Sequence, residues 1–301
     1  MKQVNLANQA NLQNNQEFYF FDAHSHLQEP EISWDIDGIM ERWQQNRGGN
    51  IVCCGTKESD WQIVFNIASQ YSNVLPSFGV HPWFVENVQP KWFYELDSYL
   101  DAKFYVIKSD LTTKTIRPFI GEIGLDHVIK NVDYAKQELI FKTQMGMAKE
   151  RKVPVSIHMR KGWDILIKIL KAMGTLQAGG VIHSYSGPAD IVPLLEKYGL
   201  YISFSGSVTN TNNKKVQKSL KAVSPRRLLI ETDSPAILPQ SPALQLSYIK
   251  DFIRSQKLFE MGWNEPCNIV LAAMSASEIL QMDLSDLVRL TAANGENLFL
   301  P

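Results

Sequence analysis

Cysteine is scarce: Cys53, Cys54 and Cys267 are the only three in 301 residues, and no Cys-x-x-Cys pair occurs. A disulfide framework and zinc-finger chemistry are excluded, and a reducing compartment is the expectation. No apolar run approaches the ~20 residues that cross a bilayer, so no membrane association is expected. Residues 1–17 are rich in Asn and Gln and lack the apolar stretch of a signal peptide. They are expected to form a disordered tail, and the cell interior, cytoplasm or nucleus, is the expected location. Excess charge of either sign is absent too, with 30 basic against 31 acidic side chains and a net charge of −1. A protein that grips long nucleic acid by bulk charge carries a basic surplus. Any such substrate must here be held locally, by a basic rim or by metal ions. There is no internal repeat.

What the chain does have is apolar content, 45% of residues, enough for a sizeable core. Short apolar runs alternate with amphipathic stretches. The predicted strands are Tyr19–His26, Asn50–Gly55, Leu75–His81, Phe119–Asp126, Val153–Met159, Gly180–Ser184, Leu200–Ser205 and Arg227–Asp233. Each is apolar on successive residues, as in parallel strands covered on both faces. The clearest predicted helices are Asp133–Arg151, with Leu139, Ile140, Met147 and Ala148 on its buried side, and Gly162–Met173. Eight strands alternating with helices point to an α/β fold, a (β/α)₈ TIM barrel, occupying residues 18–301 as one domain. Two stretches break the rhythm. Lys103–Arg117 reads as a surface excursion, and Pro235–Pro266 as a long loop with a helix-like piece at Leu244–Phe259.

Five of the six histidines fall at or near the C-terminal end of a predicted strand: His24, His26, His81, His158 and His183, with His127 just past another. In a barrel of this kind those ends form one rim, where active sites assemble. His24 and His26 are two residues apart, so on a strand both rings point to the same side and can reach one metal at roughly 2.0–2.1 Å. Glu122 and Asp233 sit among small and apolar neighbours, where a buried carboxylate is costly unless a cation neutralises it. Imidazole with carboxylate suits Zn²⁺, Mn²⁺ and similar ions. The plainer alternatives are structural histidines and internal ion pairs with arginine. Cys53 and Cys54 read as small core residues.

The segments Phe-Asp-Ala-His-Ser-His-Leu (21–27), Gly-Val-His-Pro-Trp (79–83), Ile-Gly-Glu-Ile-Gly-Leu-Asp (120–126), Ile-His-Met-Arg (157–160), Ile-His-Ser-Tyr-Ser-Gly (182–187), Glu-Thr-Asp-Ser-Pro (231–235), Asn-Glu-Pro (264–266) and Asn-x-x-x-Leu-Phe (294–299) span nearly the whole chain. Together they resemble the TatD-related deoxyribonucleases, within the amidohydrolase-like metal-dependent hydrolases. The resemblance implies the barrel fold and two divalent ions (Zn, Mg or Mn). His24, His26 and Asp233 would hold one, His158 and His183 the other, with Glu122 bridging. It also implies hydrolysis of phosphodiesters in DNA, as an exonuclease. Three features depart from the family pattern: Met261-Gly262-Trp263 stands where an Arg-containing sequence is usual, Ala236 replaces an aromatic, and about twenty residues are added after Pro235.

On this reading the two ions share an activated hydroxide, and Asp233 is the expected proton acceptor, with Glu122 the second catalytic carboxylate. Arg160 is placed to contact phosphate, or else to pair with a rim carboxylate. His81 and Trp83, with Phe84, are expected to line the substrate cleft, or else to pack a loop on the barrel. Asp126 and His127 are expected behind the ligands, orienting them. Two other readings stand beside the nuclease: an amide or ester hydrolase on the same metals, and a non-catalytic adaptor that binds a protein partner through residues 235–266.

Overall fold

The computed structural model describes residues 18–108, 112–240 and 257–300. In chain order the strands are β1 (Phe20–Ser25), β2 (Gly48–Cys54), β3 (Val74–Phe78), β4 (Phe104–Ile107), β5 (Thr113–Ile116), β6 (Phe119–Asp126), β7 (Val155–Arg160), β8 (Gly180–Ile182), β9 (Leu200–Phe204) and β10 (Leu228–Ile230). The longer helices are α1 (Ile36–Gln45), α2 (Glu58–Gln70), α3 (Trp92–Leu100), α4 (Tyr134–Arg151), α5 (Trp163–Met173), α6 (Val192–Lys197), α7 (Lys214–Ala222), α8 (Ile269–Leu280) and α9 (Leu284–Phe299). The expected tail at residues 1–17 lies outside the described residues. So does the expected helix-like piece at Leu244–Phe259, apart from a helical turn at Lys257–Glu260.

Eight strands form one parallel sheet in the order β1-β2-β3-β6-β7-β8-β9-β10. The sheet curls until its edges meet beyond the end of β10. There Asp233 N–H donates to His24 O at 2.9 Å and His26 N–H donates to Ser234 O at 2.7 Å. The fold is a (β/α)₈ TIM barrel. β6 and β9 are buried at every residue, because the barrel interior covers one face and the helices the other. Each large apolar side chain withdrawn from water in this way contributes roughly 1.5–3 kcal/mol. The excursion at Lys103–Arg117 is the antiparallel hairpin β4–β5, outside the barrel sheet.

Helix α4 corrects the periodicity reading. Asp133 caps its start, accepting from Ala135 N and Lys136 N. Its buried residues include Ile140, Phe141, Met145 and Ala148, whereas Leu139 is 65% exposed. Two buried glutamines complete that face, and both serve the rim. Gln144 accepts from Val80 N at 2.7 Å and donates to Val80 O at 3.1 Å. Gln137 accepts from Asp126 N at 3.1 Å and donates to Pro82 O at 3.1 Å. The loop carrying His81 and the end of β6 are thereby tied to one helix.

Candidate metal centre

Glu122, from the middle of β6, stands at the centre of the barrel mouth, and its two oxygens face different histidines. Oε2 lies 3.4 Å from His24 Nε2 and 3.2 Å from His26 Nε2. Oε1 lies 2.8 Å from His158 Nδ1 and 2.7 Å from His183 Nε2. Asp233 completes the first group, with Oδ1 3.5 Å from His26 Nε2. Backbone geometry aims several of these groups: Asp233 (φ 56°) and Ser184 (φ 42°), which follows His183, adopt left-handed conformations where their strands end. Five strands thus deliver the six expected ligand side chains to one place, all of them buried.

The donor set fits a divalent ion. Ligand atoms about 2.0–2.1 Å from one ion are themselves about 2.9–3.4 Å apart, close to the separations above. The triad His24, His26 and Asp233 brings its ligand atoms within 4.8 Å of one another, as does His24, Glu122 and His183. The outer ring nitrogens are oriented accordingly. His26 Nδ1–H donates to Cys54 O at 2.7 Å, and His158 Nε2 faces Asp126 Oδ2 at 3.3 Å. A ring that donates outward keeps its inner lone pair for a metal.

Without an ion, lone pairs beside a carboxylate call for protons, and the titration directions reflect this. Burial would push the Glu122 carboxyl up, but the His81 and His183 rings, with hydrogen bonds from His158 and His183, outweigh it and hold the group well below the ordinary range. Burial disfavours charged His26, yet hydrogen bonds to Asp233 and Glu122 carry its pKa well above the usual value. His183 is raised in the same way against burial, chiefly by Glu122. His24 moves down, through burial and the neighbouring His183.

Other expected site residues fall less uniformly. His81 is buried and does not wall the cavity that opens at the cluster. Its Nδ1 accepts from Trp83 N at 3.1 Å. The ring proton therefore sits on Nε2, which donates to Glu122 Oε1 at 3.2 Å. That tautomer makes His81 a prop for the central carboxylate. Trp83 is 48% exposed at the mouth, and its Nε1–H donates to Asp126 Oδ2 at 2.7 Å. Asp126 Oδ2 also lies 3.3 Å from His158 Nε2. It meets Arg160 Nη1 at 3.4 Å, so the rim ion pair forms. The Arg160 side chain nonetheless stays 47% exposed. Phe84 packs instead under the Lys57 ammonium, 4.8 Å from its ring centre.

His127 does not stand behind the ligands. Its backbone N–H is spent on Arg160 O, its ring packs on Tyr134 with centroids 4.5 Å apart, and among the described residues its buried Nε2 has no hydrogen-bond partner. At the cluster opens a cavity of about 220 Å³, walled by His158, His183 and Asp233 together with Arg160, Ser184, Ser186, Ser207 and Asn213. The serines and Asn213 lie on loops after β8 and β9 and at the start of α7. The sequence gives no periodicity that singles them out. A larger cavity of about 390 Å³, between Lys57, Glu58 and Phe84, contains none of the cluster residues.

A barrel with His-x-His on its first strand, a buried carboxylate between two histidine pairs and an aspartate beyond its last strand defines the class of metal-dependent barrel hydrolases. Comparison with known proteins narrows this. The family model for TatD related DNase matches residues 21–300, and the chain belongs to that family. It is 27% identical over 282 residues to the metal-dependent hydrolase YabD of Bacillus subtilis, covering 93% of this chain and 98% of YabD. It is 23% identical over 290 residues to deoxyribonuclease TATDN3 of Homo sapiens, covering 92% and 93% of the two chains. Among solved structures, the TatD homologue YjjV of Escherichia coli superimposes with a TM-score of 0.78 at 22% identity, covering 94% of this chain and 98% of YjjV. No helix among the described residues is long and apolar enough to cross a membrane.

Proposed function

We propose that this protein is a two-metal phosphodiesterase acting on DNA, an exonuclease of the deoxyribonuclease kind. The observation that supports it most is Glu122, whose two oxygens divide between the His24/His26 pair and the His158/His183 pair. Two divalent ions, of Zn, Mg or Mn type, would be held by His24, His26 and Asp233 and by His158 and His183, with Glu122 shared. Bound there, such ions supply Lewis-acid charge to a phosphoryl group and acidify water. The protein's own residues do the rest. Asp233, at the cavity wall, is held below the ordinary carboxylate range against the effect of burial, chiefly by its hydrogen bond with His26. As a carboxylate beside the proposed ions, it is the group placed to accept a proton. Arg160, half exposed at the same wall, offers a planar fork to a phosphate. Trp83, fixed by Asp126, presents a face on which a base can stack.

The test begins with elemental analysis of the purified protein, and with hydrolysis of single-stranded DNA before and after chelation. An N-acyl amino acid and a chromogenic phosphodiester serve as parallel substrates. Glu122→Gln is expected to remove both bound metal and hydrolysis while the fold persists. Full activity in a demetallated sample of that variant would defeat the reading, and turnover confined to the acyl substrate would move it to amide hydrolysis.

A further inference from the structure

The geometry points to Glu231 as the positioning residue of the second histidine pair: one carboxylate oxygen fixes both the His183 ring and the backbone turn that carries it. The inference rests on the metal-centre reading above. Glu231 follows β10, is fully buried and lies two residues before Asp233. Its Oε1 accepts from Ser184 N at 2.6 Å and stands 3.5 Å from His183 Nδ1. Its Oε2 has no hydrogen-bond partner among the described residues, and neither has the buried His183 Nδ1. A buried carboxylate oxygen and a buried ring nitrogen left unmatched are each costly. At 3.5 Å the nitrogen stands at the limit of bonding range of the same carboxylate. With Nδ1–H donating to Glu231, His183 must offer a lone pair at Nε2, the atom already 2.7 Å from Glu122 Oε1.

The backbone bond matters for a second reason. Ser184 sits at φ 42°, a conformation unfavourable for a residue with a side chain. The short bond from its N–H to Glu231 holds that turn closed. Ser184 walls the cavity, and its hydroxyl meets Ser205 Oγ at 2.8 Å. Glu231 thus links a metal-type ligand to a cavity-wall serine without itself lining the cavity. It is a positioning residue, not a catalytic one.

Chelator competition with Mn²⁺ and with Zn²⁺ on the full chain tests this. Wild type is compared with Glu231→Ala and Glu231→Gln, and circular dichroism verifies that each folds. Glu231→Ala should lose metal affinity about 10–100-fold for one of the two ions. Glu231→Gln keeps an acceptor oxygen and should recover most of it. Independently of any variant, ¹⁵N spectra of Zn²⁺-loaded wild type should show the His183 proton on Nδ1. Affinities equal to wild type in both variants, a Gln variant as weak as the Ala one, or the proton on Nε2 would each overturn the role. If wild type itself takes up no metal, the centre as a whole is refuted and this role with it. Normal uptake by wild type with unaltered variants removes Glu231 alone.

Discussion

At the scale of single residues, the roles of five histidines differ by which ring nitrogen carries the proton. His26 and His158 point a nitrogen outward at a carbonyl and a carboxylate. His81 instead accepts from a backbone N–H, and so aims a proton at Glu122. Strand position alone could not separate these cases, since all end near the rim. The raised pKa values of His26, His158 and His183 have a consequence for pH. A histidine raised on folding stabilises the metal-free protein fully below its unfolded value near 6.5, and that gain fades as pH rises through the folded value. Metal binding needs those same nitrogens deprotonated. Its apparent affinity should therefore climb with pH, by up to about tenfold per unit for each proton displaced. The rise in melting temperature caused by Zn²⁺ should be larger at pH 8 than at pH 6. Scanning calorimetry with and without metal at both values decides it, and an equal or smaller rise at pH 8 would contradict the assignment. His24, lowered by burial and by His183, is already neutral and adds little to this slope.

At the scale of elements, β6 and β7 set the spacing of the centre, and at Gly124 there is no room between them for a side chain. This glycine pairs with His158 in the register, has φ +150°, and a Cβ there would stand 1.9 Å from His158 O. Gly124→Ala must push the strand bearing His158 away from the one bearing Glu122. We expect a loss of about 3 kcal/mol in stability together with weakened metal binding, measured by urea unfolding and chelator competition. A variant with wild-type stability would show that the two strands can part freely. The same elements show what pattern reading can and cannot see. All eight barrel strands were legible as apolar runs, with ends displaced by a few residues, because burial on both faces leaves an unmistakable composition. The ligands were legible because imidazole and carboxylate at strand ends are chemically distinctive. Gln137 and Gln144 were not, since a buried amide on α4 breaks the apolar period that marks a helix face. Leu139 was misassigned for the converse reason, an apolar residue on the exposed side. Glu231 was legible only as part of the Glu-Thr-Asp-Ser-Pro segment, without a role, because its partners, His183 and Ser184, are brought to it only by the closure of the barrel.

At the scale of the whole molecule, a net charge of −1 conceals an uneven distribution. Between Glu196 and Glu231 the chain carries seven basic residues and no acidic one. Helix α7 gathers four of them: Lys214, Lys215, Lys218 and Lys221 are all exposed, while Val216, Ser219 and Leu220 form the buried face. Lys214, Lys218 and Lys221, spaced four and three apart, run along one side of the helix, and none forms an ion pair among the described residues. The helix begins beside the cavity, whose wall includes Asn213 and Val216, and its nine residues extend away from it for roughly 14 Å. On the proposed nuclease reading, this helix would serve as the local basic surface that a near-neutral protein needs to grip a polyanion longer than the scissile bond itself. The triple substitution K214E/K218E/K221E should therefore weaken binding of a twenty-nucleotide single strand at least tenfold at low salt. It should also reduce the slope of log affinity against log salt by about 2, near 0.7 for each phosphate that the helix no longer neutralises. Hydrolysis of a chromogenic diester, too short to leave the cavity, should be unchanged. Fluorescence anisotropy at several salt concentrations, set beside the diester assay, separates the two effects. An unaltered salt slope would mean that the strand leaves the centre by another route, and a slowed diester reaction would mean that the substitutions had disturbed the cavity rather than the path beyond it.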